Sequence, residues 1–563
     1  MPPLESFRLT KEAAKHRVKD NVLIVTFGNY AFMDFILTWV KHLTDVNVSN
    51  LLVGNVTFYY HPLCLPIRIL PQRIRGNELK ELKVAFFYLT GAMDIKLLEA
   101  LYWTGIPVYD MGSHMKTIDV GWGSPEFHKM GREKVFLINS LLPFGYELLV
   151  CDTDMVWLKN PLPYLARFPE ADILTSSDEL VPSKLAKEWK DLLLADDKIW
   201  DQNGFNELVR KVYGPGVKGK KDLVYTFDGK LKLGVLQRAY FAAQYQQLRL
   251  QPYAVHTTFQ FGGTGGKRHR LREAMLFYDP PEYYDTPGGF LSFKPRIPKS
   301  LLLDGPHTIQ SHFSLVNYQM KQIRTALAIA SLLKRTLVMP PLWCRLDRIW
   351  FGHPGVLPGT LTRQPFLCPL DHVFEVFPSL NREYHAGELP EEDFGPGIDF
   401  REYSFFDNPM LPEGSILTVT ITGKSSWLEV KLREEEGSGN CSAGNQCKPG
   451  VVSLPKNSSE EMLVQLLSPH SGVKVIEFSS MQDAFRGFSS EARSLPPIHG
   501  RAIHARDPPP PSAKFRNRVK RYVGIWCCRE NLKVGHIFYD MYWDEKPGWK
   551  PEPPRTKEED HPP

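Results

Sequence analysis

A strand, a helix and a further strand follow one another near the start of the chain, and that order leaves few folds open. Residues 22 to 28 read Val-Leu-Ile-Val-Thr-Phe-Gly, an apolar and β-branched run that ends in a turn residue. Tyr30 to Leu43 then places Phe32, Phe35, Ile36, Trp39, Val40 and Leu43 at helical spacing, and Leu51 to Gly54 is the next apolar run. This is the opening β-α-β of a Rossmann-like nucleotide-binding sheet. No Gly-x-Gly-x-x-Gly accompanies it, so nothing supports a dinucleotide cofactor.

Residues 55 to 91 interrupt the rhythm and read as an insertion. After it, Ala92 opens a helix through Tyr102, Ile106 to Tyr109 forms a strand, and Phe127 to Leu142 is a helix carrying Arg132 and Lys134. Ala171 to Thr175 is a short strand, Ser183 to Leu194 a polar helix, and Trp200 to Asn206 begins another helix. A second α/β unit starts near residue 300, with an amphipathic helix from Met320 to Leu333 and a buried strand from Arg335 to Pro341.

The division expected is therefore a basic segment over 1–20, a first α/β domain over 21–300 and a smaller α/β unit over 301–432. A linker-rich, partly disordered region over 433–514 and a C-terminal strand with an aromatic tail over 515–563 complete it. That last strand is expected at Val523 to Cys528.

Chemistry concentrates at Asp152-Thr153-Asp154, which follows the stretch Leu141 to Cys151, ending in a short apolar run, and precedes Met155 to Pro161. Two acids at the carboxyl end of a buried strand sit where open α/β sheets bind ligands. Spaced by one residue, their carboxylates can reach one divalent cation, and Mg²⁺-like ions favour one or two carboxylates together with substrate phosphates. A nucleotide diphosphate is then the natural third party. The plainer reading of Asp-x-Asp is a surface tripeptide; the apolar flanks argue against it.

Further along, Tyr253 to Thr258 is a strand end that holds His256, followed by a glycine-rich loop from Phe261 to Gly266 and a basic run from Lys267 to Arg270. Free backbone N–H groups next to Lys and Arg can cradle a pyrophosphate, and an ordinary exposed loop would look the same. Alone, His256 reads as a structural histidine.

Bulk composition narrows the partners. A net charge of +5 from 68 basic and 63 acidic residues is a mild excess over a large surface, not a nucleic-acid footprint. Eight cysteines lack the paired Cys-x-x-Cys units of a zinc site, and disulfides among them stay open. No run is long enough to span a bilayer, and residues 1 to 20 are charged, unlike a signal peptide.

The stretch Val150 to Pro161, with Trp200-Asp201-Gln202 to Asn206 and His256 to Lys267, resembles the nucleotide-diphospho-sugar transferases of glycosyltransferase family 77. Gly112-Ser113-His114-Met115, Gly121 to Pro125 and Tyr539 to Glu545 resemble the plant extensin arabinosyltransferases. The resemblance covers most of residues 20 to 430 and returns at 515 to 563. It implies a GT-A-type mixed sheet, a UDP-sugar donor carrying arabinofuranose, Mn²⁺ (or Mg²⁺), retention of anomeric configuration and a hydroxyproline-rich glycoprotein acceptor. It also implies that Asp152, Asp154 and His256 hold the metal. Gly263, Gly266 and Lys267 would face the donor phosphates, and Asp201 and Gln202 would line the reacting face. Family members are membrane-anchored in the Golgi, and no anchor is visible in this sequence.

The chain departs from the family in three places, one of them a shortened Gly-containing piece around Gln237-Arg238. Residues 55 to 91 separate Gly54 from Ala92, which the relatives join directly. Between Pro182 and Lys184 the relatives carry an extra strand and helix, and its loss predicts unpaired edges in the sheet. Two other readings follow: a haloacid-dehalogenase-type phosphatase with Asp152 as nucleophile and Asp154 as acid/base, or a transferase fold that binds nucleotide or glycan without turnover.

Overall fold

The computed structural model describes residues 1–48, 88–121, 123–175, 183–210, 216–218, 223–226, 231–235, 252–257, 263–306, 309–345, 365–370, 373, 400–409, 427–433, 451–489, 515, 519, 521–522 and 539–540. The chain forms two compact units, Met1–Thr258 with Leu276–Pro280, and Phe259–Met275 with Pro281–Pro563.

In the first unit β1 (Val22–Gly28) is buried along almost its whole length, as its apolar composition demands. Helix α1 (Met33–Asp45) follows and buries Phe35, Ile36, Trp39, Val40 and Leu43, the stripe that the helical spacing predicts. Then come β2 (Tyr88–Ala92), α2 (Ile95–Trp103), β3 (Val108–Asp110), α3 (Pro125–Leu141) and β4 (Glu147–Val150). Asp94 caps α2 by accepting from Leu97 N at 2.9 Å and ties it to the end of β1 by accepting from Tyr30 N at 2.7 Å. Ser124 caps α3 in the same way, with Pro125 in its first turn.

These strands form a parallel sheet in the order β3-β2-β1-β4. The chain moves outward from β1 through β2 to β3 and then returns to the other side of β1 with β4. That reversal makes the carboxyl ends of β1 and β4 a topological switch point, where such sheets open a crevice for ligands.

One expectation changes here. The strand beside β1 is Tyr88–Ala92, with Ile24 opposite Tyr88 and Gly28 opposite Ala92, so residues 88–91 belong to the core and not to an insertion. Leu51 to Gly54 lies outside the described residues. Burial of every residue from Tyr88 to Ala92 makes that run an inner strand.

The rest of the unit adds β5 (Met155–Trp157), β6 (Ile173–Thr175), α4 (Ser183–Ala195), α5 (Asp201–Arg210), β7 (Leu223–Thr226), β8 (Leu231–Val235) and β9 (Ala254–His256). β5 pairs antiparallel with β9, while β6, β8 and β7 form a separate three-stranded sheet. Among the described residues no ladder joins β4 to β6, although Val150 and Ile173 share one apolar cluster.

The second unit begins with α6 (Gly263–Glu273) and β10 (Phe290–Phe293), and α7 (Ile309–Leu333) carries the chain to β11 (Thr336–Val338). After β12 (Leu342–Cys344), β13 (Phe366–Cys368) and β14 (Phe400–Arg401) come β15 (Trp427–Arg433), β16 (Val451–Pro455), α8 (Glu460–Leu467) and β17 (Val475–Phe478). Its six-stranded mixed sheet runs β14-β11-β10-β17-β15-β16. The region expected to be linker thus supplies β17, an inner strand, because Val475, Ile476 and Phe478 are fully buried there. The strand expected at Val523 to Cys528 lies outside the described residues.

Two devices fasten this unit. A disulfide joins Cys344 to Cys368 across the β12–β13 pair, both cysteines buried. On α6, buried His269 sits 3.2 Å from Glu273 and 3.1 Å from Glu402, which also accepts from the Tyr283 hydroxyl. No helix of the described residues is long and apolar enough to cross a membrane.

Candidate functional site

Backbone pairing builds the site. Cys151 N donates to Val25 O at 2.8 Å and Thr26 Oγ1 donates to Cys151 O at 3.0 Å, so the chain is held to β1 until the residue before Asp152. It then turns through Thr153 and Asp154 into β5. In the β5–β9 ladder Met155 stands opposite His256, and Thr257 N and Oγ1 both donate to Asp154 O, at 3.2 and 3.1 Å.

The result is that His256 Nε2 lies 3.2 Å from Asp154 Oδ1 and 3.7 Å from Asp152 Oδ2. One ligand atom from each of Asp152, Asp154 and His256 falls within 4.8 Å of the others, an arrangement that could hold a metal ion. The donor set of two carboxylate oxygens and an imidazole nitrogen suits Mn²⁺ or Mg²⁺ better than a thiolate-seeking ion. Asp154 is 5% exposed, so an ion here would be partly shielded from water.

Lys134 of α3 is the residue that sequence reasoning placed on a helix but not in the site. Its Nζ donates to Asp152 Oδ1 at 2.9 Å. Burial opposes its charge, but Asp152, Asp201 and Asp154 together outweigh that effect and raise its pKa above the ordinary lysine value. In return, Lys134 and His256 overcome the burial of Asp152 and hold its carboxyl below the usual range. The signal was available: Lys134 shares a helix face with Ile138 and Leu141, both buried, and a lysine on such a face needs a partner.

Asp201 opens α5 and rests against Gly131, one turn before Lys134. A Cβ on Gly131 would lie 3.0 Å from Asp201 Cγ and 3.1 Å from its Oδ1, so only glycine leaves room without displacement. Burial raises the Asp201 pKa, with Lys134 pulling it back. Gln202 follows in the same helical turn and is half-buried.

Gly263, Gly266 and Lys267 belong to α6 of the second unit, and the Asp-Asp-His cluster belongs to the first. The loop expected from Phe261 to Gly266 is helical from Gly263 onward. Thr264, Gly265 and Gly266 are buried, and packing of that kind overrides the low helix propensity of glycine.

Comparison with known proteins gives the same direction. The family model described as nucleotide-diphospho-sugar transferase matches residues 84–184 and 182–271. Arabinosyltransferase XEG113 of Arabidopsis thaliana is 59% identical over 602 residues, covering 100% of this chain and 83% of that protein. Beta-arabinofuranosyltransferase RAY1 of Arabidopsis thaliana is 24% identical over 164 residues, 29% of this chain and 24% of that protein. The alignment of 602 residues exceeds the 563 of this chain, so the first relative carries residues within the matched span that this chain lacks. No solved structure matches.

Proposed function

The chain belongs to the nucleotide-diphospho-sugar transferases, as an arabinosyltransferase-like enzyme of GT-A-like α/β fold, and from that premise we propose that it moves arabinofuranose from a UDP-sugar to hydroxyproline-linked arabinosides of extensin-like glycoproteins. The observation that carries the donor side is the placing of Asp152, Asp154 and His256 together at the switch point of the parallel sheet. A nucleoside diphosphate leaving group fits that position.

Asp152, Asp154 and His256 are the residues to hold a divalent cation, which when bound would neutralise the charge that develops on the departing diphosphate. Lys134 orients Asp152, and the Thr257 donors fix the backbone carbonyl of Asp154. Asp201 and Gln202 line the sugar-facing side. No side chain here is assigned as a general base. Retention follows if the acceptor hydroxyl enters from the face the diphosphate leaves.

The lumen of the Golgi is the proposed location, supported by the buried Cys344–Cys368 disulfide, a bond that persists in oxidising compartments. The Asn-x-Ser/Thr sequons at Asn47, Asn55, Asn440 and Asn457 would matter only in such a lumen. Against the phosphatase reading stands the place of Asp152, which follows the fourth strand described and not the first.

The test is transfer from a panel of UDP-sugars to a short hydroxyproline arabinoside, with Mn²⁺, for the full chain and for Asp154→Asn. Transfer from UDP-arabinofuranose with the anomeric configuration kept, lost in the variant, is the expected result. Equal turnover by both chains removes the metal role. Binding of UDP without transfer would instead favour the non-catalytic alternative.

A further inference from the structure

The second unit winds as the first does. From β10 the chain steps outward to β11 and β14 and then returns to the other side of β10 with β17, each neighbouring pair being parallel. The carboxyl ends of β10 and β17 are therefore a second topological switch point, the place where such sheets open a crevice for ligands. Its chemistry is the reverse of the first. Where β4 leads into Asp152 and Asp154, β10 leads into Lys294, Arg296 and Lys299, all exposed. Among the described residues no group of metal ligands lies there. We propose that this switch point binds a phosphate-bearing small molecule without a divalent ion, with Arg296 and Lys299 supplying charge and the Gln322 amide a fixed donor.

Backbone contacts fix the basic loop at the crevice. Lys294 N donates at 3.1 Å to the carbonyl of Phe478, the last residue of β17, and Arg296 N donates at 3.4 Å to Gln322 Oε1 of α7. A backbone N–H only donates, so the oxygen end of the Gln322 amide faces Arg296 and its nitrogen end is the one left over. Gln322 is 4% exposed, and its Nε2 is buried with no hydrogen-bond partner among the described residues. A buried donor without an acceptor is costly, and a ligand oxygen relieves that cost. The Lys294 ammonium already faces Glu477, with Nζ 3.7 Å from Oε1. Arg296 and Lys299 have no such carboxylate among the described residues. A guanidinium held by its own backbone at such a point matches the paired oxygens of a phosphate.

The test silences the first unit and measures what remains. The full chain carrying Asp154→Asn, in EDTA, is dialysed to equilibrium against radiolabelled UDP and, separately, against inorganic pyrophosphate. Saturable uptake at a single site per chain is the expected result. Adding Arg296→Gln, an exposed change that leaves the core alone, should weaken it on the order of tenfold, the share of one charge-assisted hydrogen bond. Gln322→Met, which fills similar space without the donor, should weaken it as well, with the thermal midpoint as a check on folding. Uptake of both probes identifies the phosphate groups as what is recognised, uptake of UDP alone a nucleotide, and uptake of pyrophosphate alone an inorganic species; each upholds the proposal. No saturable uptake of either in EDTA, or uptake that Arg296→Gln leaves unchanged, overturns it. Uptake that appears only when Mn²⁺ is given to the wild-type chain belongs to the Asp-Asp-His cluster and likewise overturns the second site while leaving the metal reading intact.

Discussion

His256 Nε2 lies 3.2 Å from Asp154 Oδ1 because Met155 and His256 face each other in an antiparallel ladder. The contact is set by main-chain register, so the histidine side chain can be removed without dismantling what places it. Its partner Asp154 is fixed independently, through the Thr257 donors to its carbonyl.

His256→Ala should therefore fold normally and lose Mn²⁺ affinity by on the order of 100-fold, at least what the loss of an outer-sphere partner costs. Calorimetric titration with Mn²⁺ checks it. Retained affinity would show that the histidine is not a ligand.

Gly131→Ala asks whether the placement of Asp201 matters. A methyl group there meets Asp201 at 3.0–3.1 Å, so the acid must move by a few tenths of an ångström, whereas the helix itself gains up to about 1 kcal/mol from the alanine. Turnover is expected to fall about tenfold while the melting temperature holds or rises. Turnover at the wild-type rate would exclude a role for the Asp201 position.

His269 makes stability depend on pH. Burial alone would lower its pKa, but Glu273 and Glu402 raise it to about 9, above the unfolded value of about 6.5. The charged histidine is the form the fold prefers, so its contribution is complete below about pH 6.5 and is lost as pH rises through 9. The loss is on the order of 3 kcal/mol. Urea unfolding of the full chain at pH 6.5 and 9.5 should show it, and His269→Gln should flatten that difference.

Replacing both Cys344 and Cys368 by Ser opens a loop with a sequence separation of 24 residues. Chain-entropy arguments put the cost near 3 kcal/mol. Thermal unfolding, with and without reductant, is the measurement: reductant should lower the wild-type midpoint and leave the double variant unchanged.

Local pattern made much of this protein legible. The strand at Val22–Gly28, the helical stripe of Phe35, Ile36, Trp39, Val40 and Leu43, and the acids at the end of an apolar run all declared themselves, since period and burial are written into consecutive residues. Asp152 and Asp154 stood out as candidates by their flanks, and His256 by its place in a family likeness; the structure brings these three together.

What the chain alone left open was every choice between equivalent segments and every meeting of distant ones. Tyr88–Ala92 does not stand out from other apolar runs, and pairing to Ile24–Gly28 makes it the strand beside β1. Val475–Phe478 is too short to stand out, yet it becomes an inner strand once β10 and β15 flank it. Cys344 finds Cys368 among eight cysteines because β12 and β13 bring them together. Likewise Lys134 is one charge on a helix until the sheet carries Asp152 to it. Sequence marked the candidate residues, through period, hydrophobicity and motif; the tertiary structure decided which of them stand together, because that depends on non-local pairing whose energy no short window of sequence contains.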